Sequence, residues 1–172
     1  MKSIVPAFKK QLQLNKRKLQ IFLTKLEKYE VPNIDQLRKK ADTDTWATTD
    51  CLSCANCCKS MTPTFTQKDL EVIAPHFNMS IDAFKAKWLN YETKDKDWVN
   101  KKQPCQFLNK ENNKCGIYEI RPDDCRKFPH HLKKNMDDYI HVYKQNLNYC
   151  PATYKWVSLM KVAVEKDYEL YK

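Results

Sequence analysis

Eight cysteines carry the most chemistry in this chain, and four of them stand almost side by side. Cys51, Cys54, Cys57 and Cys58 form a C-x2-C-x2-C-C run, and Cys105, Cys115, Cys125 and Cys150 follow at wide intervals. Thiolates are soft, strong donors to zinc and iron, and a C-x2-C spacing lets two sulfurs reach one ion from a tight turn. Packing explains any one cysteine well, since a free thiol behaves as a small buried hydrophobe. It explains four within eight positions poorly, so the run reads as a metal-binding element.

The same thiols would read as a disulfide scaffold in an oxidising compartment, so compartment matters. The N-terminus has only a short apolar run, broken by Pro6, which is too little for a secretory leader. No window approaches the roughly 20 apolar residues of a membrane span. The expectation is therefore a cytoplasmic protein with reduced thiols that bind metal. Zinc and an iron–sulfur cluster both remain open. Cys51, Cys54 and Cys57 reproduce the C-x2-C-x2-C spacing of the bacterial ferredoxin run, and Cys150-Pro151 is a distant analogue of the Cys-Pro ligand there. A 4Fe–4S centre is one form this would take.

Gly116 is the only glycine among 172 residues. Phosphate-cradling loops of the P-loop and dinucleotide kinds need several, so that backbone can turn tightly against phosphate. Such nucleotide-dependent folds are excluded, as is a glycine-rich methyltransferase fold. The formal charge of +10 is that of the metal-free chain. Each tetrathiolate centre on a divalent ion contributes −2, so two would bring it to about +6.

The elements that position these thiols are mostly helices. Phe8, Leu12, Leu19, Phe22, Leu23, Leu26 and Tyr29 recur at helical spacing, predicting a helix over Ser3 to Tyr29. Its other face holds Lys9, Lys10, Lys16, Arg17, Lys18, Lys25 and Lys28. That face is a solvated one or a surface for an acidic protein partner, nucleic acid or anionic lipid; aromatics are not interleaved as stacking platforms, which argues against single-stranded nucleic acid. A second helix is expected from Ile34 to Ala47 with Asn33 as cap, a third from Thr66 to about Pro75, and a fourth from Ser80 through Tyr91. Residues 92–104 read as loop. Cys105–Leu108 and Cys115–Tyr118 read as a small β-hairpin around Asn109–Lys114, with two cysteines facing one metal. Arg121-Pro122-Asp123-Asp124-Cys125 reads as a helix start, Tyr139–Tyr143 alternates like a short strand, and Tyr154, Val157, Met160, Val164, Tyr168 and Tyr171 mark a last helix from Pro151. The fold class is thus mainly α with a small antiparallel β-hairpin, a cysteine-rich, metal-centred single domain. Its expected parts are a basic helical extension (1–48), the cysteine-cluster domain (49–151) and a C-terminal helix (152–172).

How the thiols divide between centres is open. Neighbouring side chains usually diverge, which separates Cys57 from Cys58; in a continuous helix, Cys51, Cys54 and Cys58 would share a face and leave Cys57 aside. His130 and His131, after Cys125, allow a mixed Cys/His site, although a helix end or surface position suits them better. Asp123 and Asp124 suit a helix N-terminus more than acid–base catalysis.

Taken in order, Cys51-Leu52-Ser53-Cys54-Ala55-Asn56-Cys57-Cys58, Pro104-Cys105-Gln106-Phe107-Leu108, Cys115-Gly116-Ile117-Tyr118 and Arg121-Pro122-Asp123-Asp124-Cys125-Arg126-Lys127-Phe128-Pro129 resemble the YkgJ-type cysteine-cluster family of zinc- or iron-chelating proteins. The resemblance covers roughly Cys51 to Cys150. It implies that all eight cysteines are metal ligands and that Arg121, Arg126, Phe128 and Pro129 shape the site, the two arginines by donating to sulfur or offsetting thiolate charge. Family members often carry glycine in the run where this chain has Ala55 and Asn56; Asn56 tolerates the left-handed backbone best. The function this implies is a metal-binding protein. The alternatives are an iron–sulfur-dependent modifying enzyme, by family analogy a protein lysine N-methylase, and an electron-transfer protein.

Overall fold

Nine α-helices, two single-turn 3-10 helices (Tyr118–Ile120 and Asp137–Tyr139) and three short strands order the described residues, 4–169, of this computed structural model. In chain order they are α1 (Val5–Leu26), α2 (Ile34–Trp46), α3 (Cys51–Cys54), α4 (Asn56–Ser60), β1 (Thr64–Phe65), α5 (Gln67–His76), α6 (Ile81–Trp88), β2 (Leu89–Glu92), β3 (Asp97–Asn100), α7 (Asp123–Lys127), α8 (Ile140–Asn146) and α9 (Pro151–Asp167). The chain packs as two compact units, Met1–Cys54 with Pro129–Lys172 and Ala55–Phe128. Each has a hydrophobic core of its own. Ser3 and Tyr171, expected at the ends of the first and last helices, lie outside the described residues.

In the first unit α9 packs against both α1 and α2, and α8 against α1 and α9. α1 turns the predicted stripe inward: Phe8, Leu19, Phe22, Leu23 and Leu26 are buried. It ends at Leu26, and Tyr29, beyond it, is exposed rather than part of that stripe. Asn33 precedes α2 but makes no side-chain cap; its Oδ1 instead accepts the Tyr168 hydroxyl at 2.9 Å. Residues 140–146 are helix, not the short strand expected from alternation. Ile140, Tyr143 and Leu147 fall at i, i+3 and i+7 and are all fully buried, so tertiary packing overrides the local two-residue pattern. Trp156 of α9 is fully buried at the centre. Its ring stacks on His131 at 4.5 Å, meets Tyr143 edge-on at 4.9 Å, and its Nε1 donates to Arg38 O at 3.2 Å.

The second unit is built on an antiparallel sheet of order β1–β3–β2, with Leu89 opposite Asn100 and Thr64 opposite Val99. The antiparallel element expected at 105–118 is thus built mainly by residues 89–100, including a stretch expected to be loop. At 105–118 only one bridge forms, Leu108 with Cys115, flanked by Gly116 N donating to Phe107 O and Asn109 N to Lys114 O. The polar turn consumes the rest: Asn109 Oδ1 accepts from the Glu111 and Asn112 amides, and Asn113 is left-handed at φ 60. α5 starts on the predicted cap, a reciprocal box in which Thr66 Oγ1 accepts the Asp69 amide and Asp69 Oδ2 accepts the Thr66 amide. Leu70, Ile73 and Ala74 are its buried side, as expected. α6 ends at Trp88, where the chain becomes β2 instead of remaining helical to Tyr91. Phe77, Phe84, Trp88 and Phe107 interlock, with centroids of 4.7 Å for Phe77–Trp88 and 4.8 Å for Phe84–Trp88. Edge-to-face pairs of this kind each add about 0.5–1.5 kcal/mol beyond their buried area.

Candidate metal centre

The cysteine run is two short helical turns rather than one helix. α3 ends at Cys54, Ala55 takes a left-handed conformation (φ 45, ψ 22), and α4 begins at Asn56. The left-handed position therefore falls on Ala55 and not on Asn56. A continuous face shared by Cys51, Cys54 and Cys58 is lost, because the helix is interrupted between the second and third of them. Ala55 is buried, so local contacts hold a conformation that costs an L-residue about 1–2 kcal/mol.

Five of the eight thiols belong to the second unit: Cys57, Cys58, Cys105, Cys115 and Cys125. Cys57 and Cys58 do not diverge as expected. Their Sγ atoms are 4.0 Å apart and share a hydrogen bond. Two sulfurs of a tetrahedral zinc site, each about 2.3 Å from the ion, are about 3.8 Å apart, so adjacency does not bar this pair from one centre. The main chain ties α4 to the next cysteine: Cys105 N donates to Cys58 O at 2.8 Å. Cys105 Sγ accepts from Asn100 Nδ2 at 3.3 Å, and Asn100 Oδ1 accepts from Gln106 Nε2 at 2.8 Å, so the end of β3 orients this thiol. Cys115 is placed by its bridge to Leu108, and Cys125 by α7.

These thiols lie close enough for the charge of one to shift the acidity of another. The Cys57 hydrogen bond pulls Cys58 down to about 7; Lys59 helps, while burial opposes. Burial pushes Cys105, Cys115 and Cys125 upward, and the charge of Cys58 adds to the rise in each. Cys105 and Cys115 also raise Cys125. Four thiols from three separated stretches of chain thus fall within electrostatic reach of each other. Ionising them together without a cation is costly, and a bound cation removes that cost. Among the described residues no three His, Cys, Asp or Glu side chains already stand gathered as a metal site. The arrangement is a grouping of thiols, not a closed tetrahedron.

In the first unit, Cys51 is exposed and Cys54 and Cys150 are buried. Cys150 is the N-cap of α9, its Sγ accepting the Thr153 amide at 3.4 Å. Burial raises its pKa, Thr153 lowers it, and the charge of Cys54 raises it further. Those two buried thiols are electrostatic neighbours although 96 positions separate them in sequence.

The flanking motif residues take definite places. Arg121 stacks its guanidinium on the Tyr118 ring at 3.8 Å, and its charge favours ionised Cys115. Arg126 donates from Nη2 to Arg121 O at 3.2 Å. Asp123 and Asp124 occupy the first turn of α7, as expected for carboxylates at a helix N-terminus. Asp124 Oδ2 also accepts the Thr64 amide of β1, and Asp123 pairs with Lys127.

His131 departs from expectation. It is buried, with Nδ1 donating to Asp42 Oδ1 at 2.9 Å and Nε2 3.3 Å from Thr153 Oγ1. Burial lowers its pKa despite Asp42, so the ring is a neutral interior group of the first unit. Arg38, which sequence reasoning missed, is also buried. It donates to Asp35 Oδ1 at 2.8 Å and to the carbonyls of His131 and Lys133 at 3.0 and 2.6 Å. No sequence signal marks it, because its carbonyl partners lie more than 90 residues away.

A mainly helical, cysteine-rich fold that brings thiols from separate stretches of chain near one another suits a metal-chelating protein. The chain belongs to the CxxCxxCC family, whose model, described as "Putative zinc- or iron-chelating domain", matches residues 50–151. It is also 34% identical over 89 residues to the uncharacterized protein MJ0661 of Methanocaldococcus jannaschii. That alignment covers 48% of this chain and 45% of the relative, so the chain matches about half the relative's length. No solved structure matches.

Proposed function

We propose that this is a cytoplasmic metal-binding protein that holds zinc or an iron–sulfur cluster through its cysteines, with Cys58, Cys105, Cys115 and Cys125 as one ligand set. Cys57 is an adjacent fifth donor, and Cys51, Cys54 and Cys150 are the remaining ligands. Arg121 offsets thiolate charge at Cys115, and Arg126 braces Arg121 through its carbonyl. The single observation that carries the reading is the convergence in one unit of Cys58, Cys105, Cys115 and Cys125, tied by the Cys105–Cys58 main-chain bond and the Leu108–Cys115 bridge and close enough for the charge of Cys58 to act on each of the other three. Packing alone gives no reason to collect them. The donor set suits soft or borderline metals, and thiolates are the common ligands of zinc and iron–sulfur centres. Bound metal would cross-link α4, the 105–115 loop and α7, adding stability to a unit of modest core. The acid-free basic helix α1 supports a second element of the reading, an acidic protein partner for that helix.

Anaerobic purification with metal and acid-labile sulfide analysis tests the proposal. Stoichiometric zinc, or iron with sulfide, is expected, with loss of metal in Cys58→Ser and Cys125→Ser. A chain that purifies and reconstitutes with neither metal refutes it.

A further inference from the structure

The metal proposal leaves one strongly charged surface of the first unit unused. α1 carries six cations, Lys9, Lys10, Lys16, Arg17, Lys18 and Lys25, and no Asp or Glu in its 22 residues. A helix this long gains about 0.2–0.5 kcal/mol from each i, i+4 acid–base pair, and α1 forgoes all of them. Its apolar face is already spent on the core. Two large apolar residues nonetheless point outward one heptad apart, Leu14 at 68% exposure and Ile21 at 49%.

Between α1 and α8 lies an open groove of about 500 Å³. Arg17, Ile21, Lys25, Lys28 and Tyr29 line one wall, and Lys144 of α8 stands on the other. Lys144 is neutralised by Glu27 at 2.7 Å. Among the described residues Arg17, Lys25 and Lys28 have no ion pair, so the groove presents three uncompensated cations around an exposed isoleucine. Arg17 to Lys25 spans eight residues, about 12 Å of helix.

We infer that this groove docks an acidic amphipathic helical peptide, a segment of a partner protein bearing about three carboxylates around an apolar residue. Charge complementarity and concavity choose this occupant. A bilayer surface is flat and would meet the rim rather than the floor. Single-stranded nucleic acid needs successive aromatic platforms, whereas the groove offers Tyr29 alone. A helix laid in the groove sets an apolar side chain on Ile21 and carboxylates beside Arg17, Lys25 and Lys28, the helix-in-groove mode of recognition. The inference rests on the proposal that α1 serves an acidic protein partner and is independent of which metal is bound.

The test titrates a labelled Glu-rich peptide with leucines at three- and four-residue spacing against the full metal-loaded chain. A scrambled peptide of the same composition, single-stranded RNA, and phosphatidylserine–phosphatidylcholine vesicles serve as comparators. Binding of the patterned peptide is expected, weakening with salt and falling about tenfold in Arg17→Gln/Lys25→Gln, two exposed ion pairs being lost. Ile21→Asn should weaken it as well, while Lys9→Gln/Lys10→Gln should leave it intact. Gln is a good helix former and these side chains lie outside the core, so circular dichroism should be unchanged. Loss of binding in the Lys9/Lys10 variant but not in the groove variants refutes the groove and leaves the acidic partner standing. Tighter binding of RNA or vesicles, or equal binding of the scrambled peptide, overturns the peptide occupant. Absence of peptide binding removes both readings.

Discussion

Asn100→Ala is the sharpest probe of the candidate centre. Asn100 is buried at the end of β3 and divides its amide between two neighbours. Nδ2 donates to Cys105 Sγ at 3.3 Å, and Oδ1 accepts from Gln106 Nε2 at 2.8 Å. Once Cys105 is a metal thiolate, the first bond becomes a hydrogen bond to a charged group. Its loss costs about 1.5–3 kcal/mol, or roughly 10- to 150-fold in metal dissociation constant. That range overlaps the loss typical of outer-sphere partners of metal ligands, about 10- to 100-fold. The second bond concerns the metal-free fold: its loss leaves the Gln106 amide with only a long contact to Trp88 O at 3.5 Å, at about 1–3 kcal/mol. Gln106→Ala separates the two effects. It removes the amide–amide bond, spares the sulfur, and frees Gln106 Oε1 from a buried position without a partner. Competition with a chromophoric chelator measures affinity, and urea unfolding of the metal-free protein measures stability. The expected result is weakened metal binding in Asn100→Ala alone, with metal-free stability reduced by about 1 kcal/mol or more in that variant. Wild-type affinity in Asn100→Ala, or an equal loss in Gln106→Ala, refutes the assignment of Asn100 to Cys105.

Three further outcomes follow from the geometry. Arg38→Met keeps an apolar stem but leaves the His131 and Lys133 carbonyls without their charged donor; relief of guanidinium burial offsets part of this, for a net loss of about 1–3 kcal/mol by urea unfolding. The ion pair with Asp35 contributes little, since that carboxylate is 74% exposed. His131 is neutral in the folded state because burial lowers its pKa from 6.5, against Asp42 and aided by His130 and Arg38. The unfolded chain then binds the extra proton first, so stability falls as pH drops below about 6.5, by at most about 1.4 kcal/mol per pH unit, until the folded pKa is reached. His131→Phe should flatten that part of the profile, and an unchanged slope would count against it. Thr66→Ala removes half of the α5 capping box and should lower the melting free energy by about 1 kcal/mol.

What the sequence determined by itself was local and periodic. The apolar stripe of α1, the Thr66 cap, the buried side of α5 and the start of α9 at Pro151 are written in residues three and four apart, or in one capping residue. The chelating chemistry was equally legible, because thiols at C-x2-C-x2-C-C spacing have few structural uses. Tertiary structure decided whatever depends on distant partners. Ile140–Tyr143 became helix because a core received Ile140 and Tyr143 on one face. Residues 97–100 became a central strand because β1 and β2 were there to pair with them. It also set Cys57 beside Cys58 at contact distance, gave the left-handed residue to Ala55, and buried His131 and Arg38 against partners 22 to 95 residues away. The coupling of Cys58, Cys105, Cys115 and Cys125 belongs to the same class. Their spacing advertises ligands, but only folding brings four separated thiols close enough for the charge on one to raise the pKa of the next.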